Sequence, residues 1–382
     1  MQLAELMSLR PVPSAGLLVT VTGRCPLHCA HCSTTSTMAS SEPDAARLLR
    51  FVGSFEATDR PEVLMLTGGE PLLRGDLTAD LAGRARAAGT RVALLTGAWF
   101  AARRGGNRPG SGPAPGGPDR AVIPPAVLRA IDALDHFSVS IDAFHEREVP
   151  RARAFSVVRQ VLDRGIACSF HVVGDGPRDP YLADVTTDIR RTFGDRVPML
   201  VNSLRPVGRA ASWAAARAVP DTDTDPGRVR PCSMAAWPVV AADGTILACC
   251  NQHTVDRRPA PAHLTVGHLD GSDWTSVSRR VRSAPALRMI RTVGPGHMTA
   301  RYGTAAGAGP RPGYCDGCRS LGEHPEVLAA ADRLAGGPAG ALLDLHVTQR
   351  QREAGPVSFV RRHGTAGYED LVALPGTPRW TP

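Results

Sequence analysis

The feature that most constrains the fold is a regular alternation of short apolar runs with stretches of helical character between about residues 17 and 204. Each run has the length and the apolar composition of a buried strand. Strands that alternate with helices form a parallel sheet, which is either open or curled into a partial barrel. The runs are LLVTVTG (17–23), EVLMLTGG (62–69), RVALLTG (91–97), HFSVSID (136–142), ACSFHVVG (167–174) and VPMLVNSL (197–204).

Five helical stretches lie between these runs, at 43–56, 76–88, 124–134, 151–164 and 180–193. Such an alternation brings the carboxyl ends of the strands to one edge of the sheet, where ligands bind in α/β folds. We therefore expect the functional residues directly after the strands.

Segments rich in Gly and Pro divide the chain further. Residues 101–120 contain ten Gly or Pro and predict a flexible surface insertion, and residues 219–231 predict a linker. The predicted units are a lead-in at 1–16, an α/β core at 17–218, a small cysteine-rich unit at 232–323 and a helical tail at 324–382.

Composition excludes several classes of function. All 44 basic residues are arginine, so the chain has neither a Schiff-base lysine nor a P-loop lysine. The net charge of +8 permits nucleic-acid binding, but the arginines are scattered among acids and only 5% of residues are aromatic. No apolar run approaches the roughly 18 residues of a membrane span. We expect a cytoplasmic protein with no signal peptide, no membrane contact and no nucleic-acid partner.

Three cysteines follow the first predicted strand in one short loop, Cys25, Cys29 and Cys32. Soft thiolates select iron–sulfur clusters, zinc or copper(I). Three protein ligands leave one iron of a 4Fe–4S cluster open to another molecule. A zinc site that takes its fourth ligand from His28 or His31 is the alternative at this point.

A second motif, Gly68-Gly69-Glu70-Pro71, ends the second predicted strand. Paired glycines let a backbone approach a ligand closely, and a carboxylate beside them can hold an ammonium group. Taken alone, the motif is an ordinary strand-to-helix turn with a proline near the start of the helix.

Together the two motifs resemble those of the radical SAM superfamily. Cys25, Cys29 and Cys32 match its cluster ligands, and His31 takes a position that is usually aromatic. Gly68, Gly69, Glu70 and Pro71 match the motif that grips the methionine amine of S-adenosylmethionine (SAM), and Ser140 and Asp142 match a Ser-x-Asp that helps hold its ribose or carboxylate region. The resemblance covers roughly 17–204 and implies a partial (β/α)6 TIM-like barrel.

The other cysteines predict a second site. Cys232 is followed by eleven residues, Gly244, four residues and Cys249, and Asp243-Gly244 predicts a hairpin between apolar runs. Cys315 and Cys318 form a later pair. Four thiolates suit either zinc or an iron–sulfur cluster.

This pattern resembles the SPASM/twitch extension of radical SAM enzymes, in its shorter form. The resemblance implies one auxiliary 4Fe–4S cluster on Cys232, Cys249, Cys315 and Cys318. Cys250 is an alternative to Cys249 as ligand and a candidate hydrogen-atom donor to a substrate radical, whereas Cys168 is expected to pack as a small apolar residue.

The resemblance implies an enzyme that cleaves SAM reductively to a 5′-deoxyadenosyl radical, which abstracts a hydrogen atom from a peptide or natural-product substrate. The expected partners are an electron donor such as a flavodoxin or ferredoxin and, for a peptide, a separate leader-binding protein. The alternatives are a dehydrogenase or epimerase of a small-molecule antibiotic intermediate, a SAM-dependent methyltransferase, and a zinc-binding interaction protein without catalysis.

Overall fold

Six parallel strands form the centre of the molecule and follow one another across the sheet in chain order. The computed structural model describes residues 1–102, 120–214, 228–304 and 313–375. The predicted insertion at 101–120 and the predicted linker at 219–231 lie largely outside the described residues. The six strands are β1 (Gly16–Thr22), β2 (Val63–Gly68), β3 (Arg91–Thr96), β4 (His136–Ile141), β5 (Ala167–Gly174) and β6 (Met199–Ser203).

Helices connect the strands and cover one face of the sheet, which is apolar. Val19, Leu66, Leu94 and Val139 are all completely buried. The first six helices are α1 (Leu3–Leu9), which precedes β1, and α2 (Ala45–Val52), α3 (Gly75–Ala87), α4 (Pro125–Asp132), α5 (Arg151–Leu162) and α6 (Pro180–Phe193), which alternate with the strands. The predicted α/β fold with a partial, unclosed barrel is confirmed.

The cysteine-rich segment continues this sheet. Its strands are β7 (Val239–Val240), β8 (Thr245–Leu247) and β9 (Thr265–His268). β7 pairs in parallel with β1, through Leu18 and Val239, while β7–β8 and β8–β9 are antiparallel. The Asp243-Gly244 hairpin is confirmed, with Gly244 at φ +89°. The predicted bounds of an auxiliary domain stay a prediction, although the segment shares its sheet with the core.

Helices make up the rest of the described C-terminal part. They are α7 (Gln252–Asp256), α8 (Trp274–Ser283), α9 (Pro285–Thr292), α10 (Pro295–Tyr302), α11 (Tyr314–Ser320), α12 (Pro325–Ala335), α13 (Pro338–Glu353) and α14 (Gly355–His363). The chain then returns to the open edge of β6, where the Thr365 amide donates to the Val201 carbonyl at 3.0 Å. This contact covers part of an edge that would otherwise present unpaired backbone groups. None of the described helices is long and apolar enough to cross a membrane.

Candidate functional site

A cavity of about 1000 Å³ opens at the carboxyl ends of the six parallel strands. Every one of these strands contributes a side chain near its end. These side chains are Thr20, Thr67, Thr96, Ser140, His171 and Asn202. The cavity is therefore at the edge of the sheet where the sequence predicted the functional residues.

The loop after β1 brings its three cysteines to this cavity. Cys25, Cys29 and Cys32 all line it, and the Cys25 amide donates to the Thr37 carbonyl at 3.3 Å, which folds the loop back on itself. Burial raises the pKa of Cys25 to about 11 and that of Cys29 further, and the nearby charge of Cys32 also raises both pKa values. Without a cation, Cys25 and Cys29 therefore resist ionisation, and a bound metal would supply the positive charge that favours their thiolates.

The third cysteine differs from the first two. Burial pushes the pKa of Cys32 upward, but hydrogen bonds outweigh burial, among them one with the Thr34 hydroxyl at 3.3 Å, and its pKa lies below the ordinary value. The chain at Gly208-Arg209 packs on the same residue, with the Arg209 amide donating to the Cys32 carbonyl at 3.0 Å. Gly208 has φ +56°, and a Cβ there would lie 2.3 Å from that carbonyl. This segment, whose role was not evident from the sequence, thus positions the cysteine loop.

The two glycines of the second motif hold the end of β2 against the same loop. The Gly69 amide donates to the Thr22 carbonyl at 2.8 Å, and the Glu70 amide donates to the Arg24 carbonyl at 2.8 Å. A Cβ on Gly69 would lie 2.3 Å from the Arg24 carbonyl, and Gly68 has φ +133°. Glycine is therefore required at both positions because backbone meets backbone there.

The carboxylate of Glu70 is completely buried on the cavity wall. It accepts hydrogen bonds from Thr96 Oγ1 at 2.7 and 2.9 Å, from the Gly97 amide at 2.9 Å and from the Leu72 amide at 3.1 Å. Burial raises its pKa to about 7, against the lowering effect of these donors. Pro71 begins a short 3₁₀ helix at Pro71–Arg74, as the turn predicted. The donor Thr96 was not singled out in the sequence, since nothing in β3 distinguishes it.

Asp142 lies directly after β4 and connects the cysteine loop, through His31, to the segment that follows this strand. Its Oδ2 lies 3.0 Å from His31 Nε2, and its Oδ1 accepts from the amides of Phe144 at 2.9 Å and His145 at 2.8 Å. Burial raises the pKa of Asp142, but the hydrogen bond from His31 and the nearby imidazoles lower it more, so the carboxylate stays ionised. The His31 ring stacks on Phe144 with centroids 5.1 Å apart. Ser140, Asp142 and His31 thus lie together at the cavity.

His145 is 2% exposed and lines the cavity, but neither of its ring nitrogens has a hydrogen-bond partner among the described residues. Burial lowers its pKa. Two buried ring nitrogens without a hydrogen-bond partner are costly unless a ligand supplies one. The sequence could not decide whether His145 faced the site, because a polar residue at a helix start is common.

The second cysteine set comes from three separate segments. Cys232 precedes a 3₁₀ turn, Cys249 follows β8, and Cys315 and Cys318 lie on α11. Burial raises the pKa of Cys318 well above its ordinary value, and the charges of Cys232, Cys249 and Cys315 raise it further. The four predicted ligands are therefore close enough to interact electrostatically.

The two remaining cysteines lie in different surroundings. Cys250 lines the cavity, and its Sγ accepts a hydrogen bond from Arg10 Nη2 at 3.3 Å. Cys168 is 1% exposed at the start of β5 and packs in the core. In the described parts of the chain, no three His, Cys, Asp or Glu side chains are grouped so as to hold a metal ion. The ligand roles predicted for the cysteines stay predictions.

Comparison with known proteins gives a family for the core. The family model of the radical SAM superfamily matches residues 19–188. A PqqA peptide cyclase of Streptomyces rochei is 40% identical over 83 residues, which are 22% of this chain and 22% of that protein. The chain thus matches about a fifth of the length of this curated relative.

Two solved structures share the general architecture at low identity. Streptococcus suis SuiB bound to S-adenosylmethionine has a TM-score of 0.48 and 11% identity, over 76% of this chain and 75% of that one. Native anSMEcpe with bound AdoMet and Kp18Cys peptide has a TM-score of 0.43 and 12% identity, over 83% and 99%. The family match includes the first cysteine loop, the Gly-Gly-Glu-Pro motif and the Ser-x-Asp of β4. Residues 19–188 of this chain thus match the radical SAM superfamily.

Proposed function

We propose that the protein is a radical SAM enzyme that modifies a peptide. The observation that carries the proposal is the meeting of Cys25, Cys29 and Cys32 with the Gly68-Gly69-Glu70 turn at one cavity. When bound, a 4Fe–4S cluster and SAM would supply reductive cleavage to methionine and a 5′-deoxyadenosyl radical, which removes a hydrogen atom from the substrate.

The donor set fits this cofactor. Three thiols on one loop would hold three irons and leave the fourth open. Of the two histidines in the loop, His28 has a 73% exposed side chain whose Nδ1 lies 3.8 Å from Glu148. His31 Nε2 is already engaged by Asp142 at 3.0 Å, which orients the ring along the loop. The open iron would thus be available to the amine and carboxylate of SAM.

The surrounding residues would position SAM. Gly68 and Gly69 line the cavity, where the backbone at the end of β2 would face the methionine amine. Glu70 supplies negative charge behind this backbone and is fixed by Thr96 and Gly97. Ser140 lines the cavity across from them and would meet the ribose or carboxylate region. A cavity of about 1000 Å³ leaves room for a substrate beside the cofactor.

We also propose that Cys232, Cys249, Cys315 and Cys318 hold one auxiliary 4Fe–4S cluster. The mutual electrostatic effect of the four thiols supports this set. Cys249 is favoured over Cys250 because Asn251 donates both to Cys249 Sγ, at 3.4 Å, and to Cys315 Sγ, at 3.7 Å, whereas the Cys250 thiol is engaged by Arg10. Cys250 is then a thiol on the cavity wall, in a place suited to the proposed hydrogen-atom donor.

The choice of a peptide as substrate is supported by the name of the curated relative, a PqqA peptide cyclase. The net charge of +8 suits an acidic electron donor such as a flavodoxin or ferredoxin. A separate leader-binding protein and a cytoplasmic location are further parts of the proposal.

The test is SAM cleavage by anaerobically purified protein reduced with dithionite, with 5′-deoxyadenosine and methionine measured by mass spectrometry. Wild-type protein should contain iron and sulfide and form both products, and Cys29→Ala should form neither. The matched control is Cys168→Ala, which removes a buried thiol of the core and should retain the activity. Zinc without sulfide in the wild-type protein, S-adenosylhomocysteine as the product, or cleavage by Cys29→Ala at the wild-type rate would contradict the proposal.

A further inference from the structure

Arg10 is a buried cation on the cavity wall for which the proposed chemistry has no use. It ends α1, where its amide donates to the Met7 carbonyl at 3.2 Å, and it is only 6% exposed. A guanidinium has five N–H donors and no acceptor. Burying it is unfavourable unless those donors find acceptors.

The acceptors that the protein provides are weak and incomplete. Arg10 Nη2 donates to Cys250 Sγ at 3.3 Å and to Met234 Sδ at 3.6 Å, and both are sulfur atoms. Arg10 Nη1 is buried and has no hydrogen-bond partner among the described residues. The half of the guanidinium that bears Nη1 is therefore left without an acceptor.

The guanidinium is nevertheless held firmly. It lies over the ring of Trp237, 4.7 Å from the ring centroid, in a cation–π contact. Trp237 Nε1 donates to the Leu9 carbonyl at 3.0 Å. A Cβ on Gly16 would lie only 2.2 Å from the Trp237 ring, so glycine at the start of β1 makes room for it. Arg10 is fixed before any ligand arrives, which reduces the entropy that a ligand must lose on binding.

The charges around Arg10 favour an anion. Arg205 and His363 line the same cavity. Burial, together with the positive charges of Arg362, Arg205 and Arg10, lowers the pKa of His363 to about 3. The neutral His363 has an Nε2 that is also buried without a partner in the described structure.

We propose that this end of the cavity binds a carboxylate of the substrate through the Arg10 guanidinium. The ligand's role as a substrate rests on the proposed function. Arg10 adjoins Cys250, and the same cavity extends to Cys25, Cys29 and Cys32. A substrate anchored by its carboxylate at Arg10 would thus have its remaining atoms directed along the cavity toward the first cysteine loop. In a peptide, this carboxylate is either an acidic side chain or the C-terminus.

The test uses three fluorine-labelled probes and the anaerobic, cluster-loaded protein, with affinities measured by fluorine NMR titration. 4-Fluorobenzoyl-Glu-amide carries a side-chain carboxylate, 4-fluorobenzoyl-Gln carries a terminal carboxylate, and 4-fluorobenzoyl-Gln-amide is neutral. At least one charged probe should bind wild-type protein about tenfold or more tightly than the neutral probe, as expected for a charged hydrogen bond in a buried site. The charged probe that binds more tightly identifies the source of the carboxylate.

Arg10→Gln should remove this preference for a charged probe. Arg10→Lys keeps the positive charge but loses the planar guanidinium that can donate two hydrogen bonds to one carboxylate, and it should retain a smaller preference. The matched control is Arg191→Gln, which removes the same charge from an exposed site and should bind like wild-type protein. Cys29→Ala should keep the preference while losing SAM cleavage, so that failure of binding and failure of catalysis are distinguished. Equal affinity of wild-type protein for all three probes, or an undiminished preference in Arg10→Gln, would overturn the inference. The second result would mean that Arg10 only balances the charge of the neighbouring cysteines.

Discussion

The first cysteine set lies within eight residues of one loop, whereas the second is collected from three segments between Cys232 and Cys318. The loop is held by local contacts, by the adjacent end of β2 through Gly69 and Glu70, and by Arg209 of the segment after β6. The second set depends on distant contacts: the Cys232 amide donates to the Ile290 carbonyl of α9 at 3.0 Å, and Tyr314 of α11 donates to the Arg230 carbonyl at 2.6 Å. We infer that the first site tolerates changes in the C-terminal helices, whereas the second does not.

The strongest test of this contrast is the loss of one cluster without the other. Cys249→Ala should lose the auxiliary cluster, and with it half of the bound iron and sulfide, because one of its four proposed ligands is missing. The protein should still cleave SAM. Cys250→Ala is the matched control, one residue away, and should keep all of its iron. If the two variants behaved in the opposite way, Cys250 would be the ligand.

A buried ion pair tests the dependence of the second set on helix packing. Arg291 of α9 and Asp344 of α13 are 2% and 6% exposed, and Nη2 lies 2.6 Å from Oδ2. Asp344→Ala should lower the free energy of unfolding by about 3–5 kcal/mol, because it leaves a buried guanidinium without its partner. The measurement is urea unfolding, together with the iron content, which should fall for the second cluster first.

The control for this variant is Asp270→Ala, which breaks an exposed pair with Arg47 whose atoms lie 2.7 Å apart. Its cost should be about 0–1 kcal/mol. Similar losses in the two variants would show that the Arg291–Asp344 pair does not hold α9 and α13 together.

A glycine substitution tests the local support of the first set. Gly69→Ala places a Cβ 2.3 Å from the Arg24 carbonyl and should cost about 1–3 kcal/mol as the cysteine loop shifts. SAM cleavage should fall with it. Gly83→Ala is the control, since Gly83 lies in α3 with no atom within 4 Å of the new Cβ, and it should stabilise by about 0.5–1 kcal/mol. Unchanged stability and SAM cleavage in Gly69→Ala would show that the close approach of Gly69 to the Arg24 carbonyl does not support the cysteine loop.

The last expected effect is a pH dependence that concerns the core sheet alone. His136 is completely buried and contacts Ser169 Oγ at 2.8 Å and the Met1 carbonyl at 3.0 Å, and burial lowers its pKa from 6.5 to about 4. In the unfolded chain this imidazole therefore takes up a proton near pH 6.5, whereas in the folded chain it does so only near pH 4. Within this window, His136 makes stability fall as pH falls, by up to about 1.4 kcal/mol per pH unit.

Urea unfolding at several pH values between these limits measures the slope. His136→Gln should reduce it, while His171 and His363, whose pKa values are lowered to about 4 and about 3, keep part of it. An unchanged slope in His136→Gln would mean that this imidazole does not titrate as its burial requires.

The sequence predicted the strands closely because each apolar run is bounded by polar or glycine residues. β5, for example, occupies Ala167–Gly174, as its apolar run predicts. It also predicted the cysteine loop and the glycine turn, whose functions need fixed residues at short spacing. It could not predict the contact of Gly208 with Cys32 or the exposure of His145 to the cavity, because these depend on which loops meet across the barrel.

Arg10 shows the same limit most clearly. In the sequence it is one of 44 arginines and lies outside every motif. Only the packing of α1 against the rest of the chain brings it beside Cys250 and Trp237. The pairing of β7 with β1, which joins the cysteine-rich segment to the core sheet, was missed for a similar reason, since a strand of two residues leaves almost no pattern.

The central claim is that Cys25, Cys29 and Cys32 hold a cluster with an iron open to SAM. The most direct measurement is electron paramagnetic resonance of dithionite-reduced Cys249→Ala protein, with and without SAM. This variant should contain only the first cluster. The account predicts a reduced 4Fe–4S signal whose g-values change when SAM is added, because SAM binds the open iron. A signal that SAM leaves unchanged, or the absence of any iron–sulfur signal from iron-loaded protein, would contradict it.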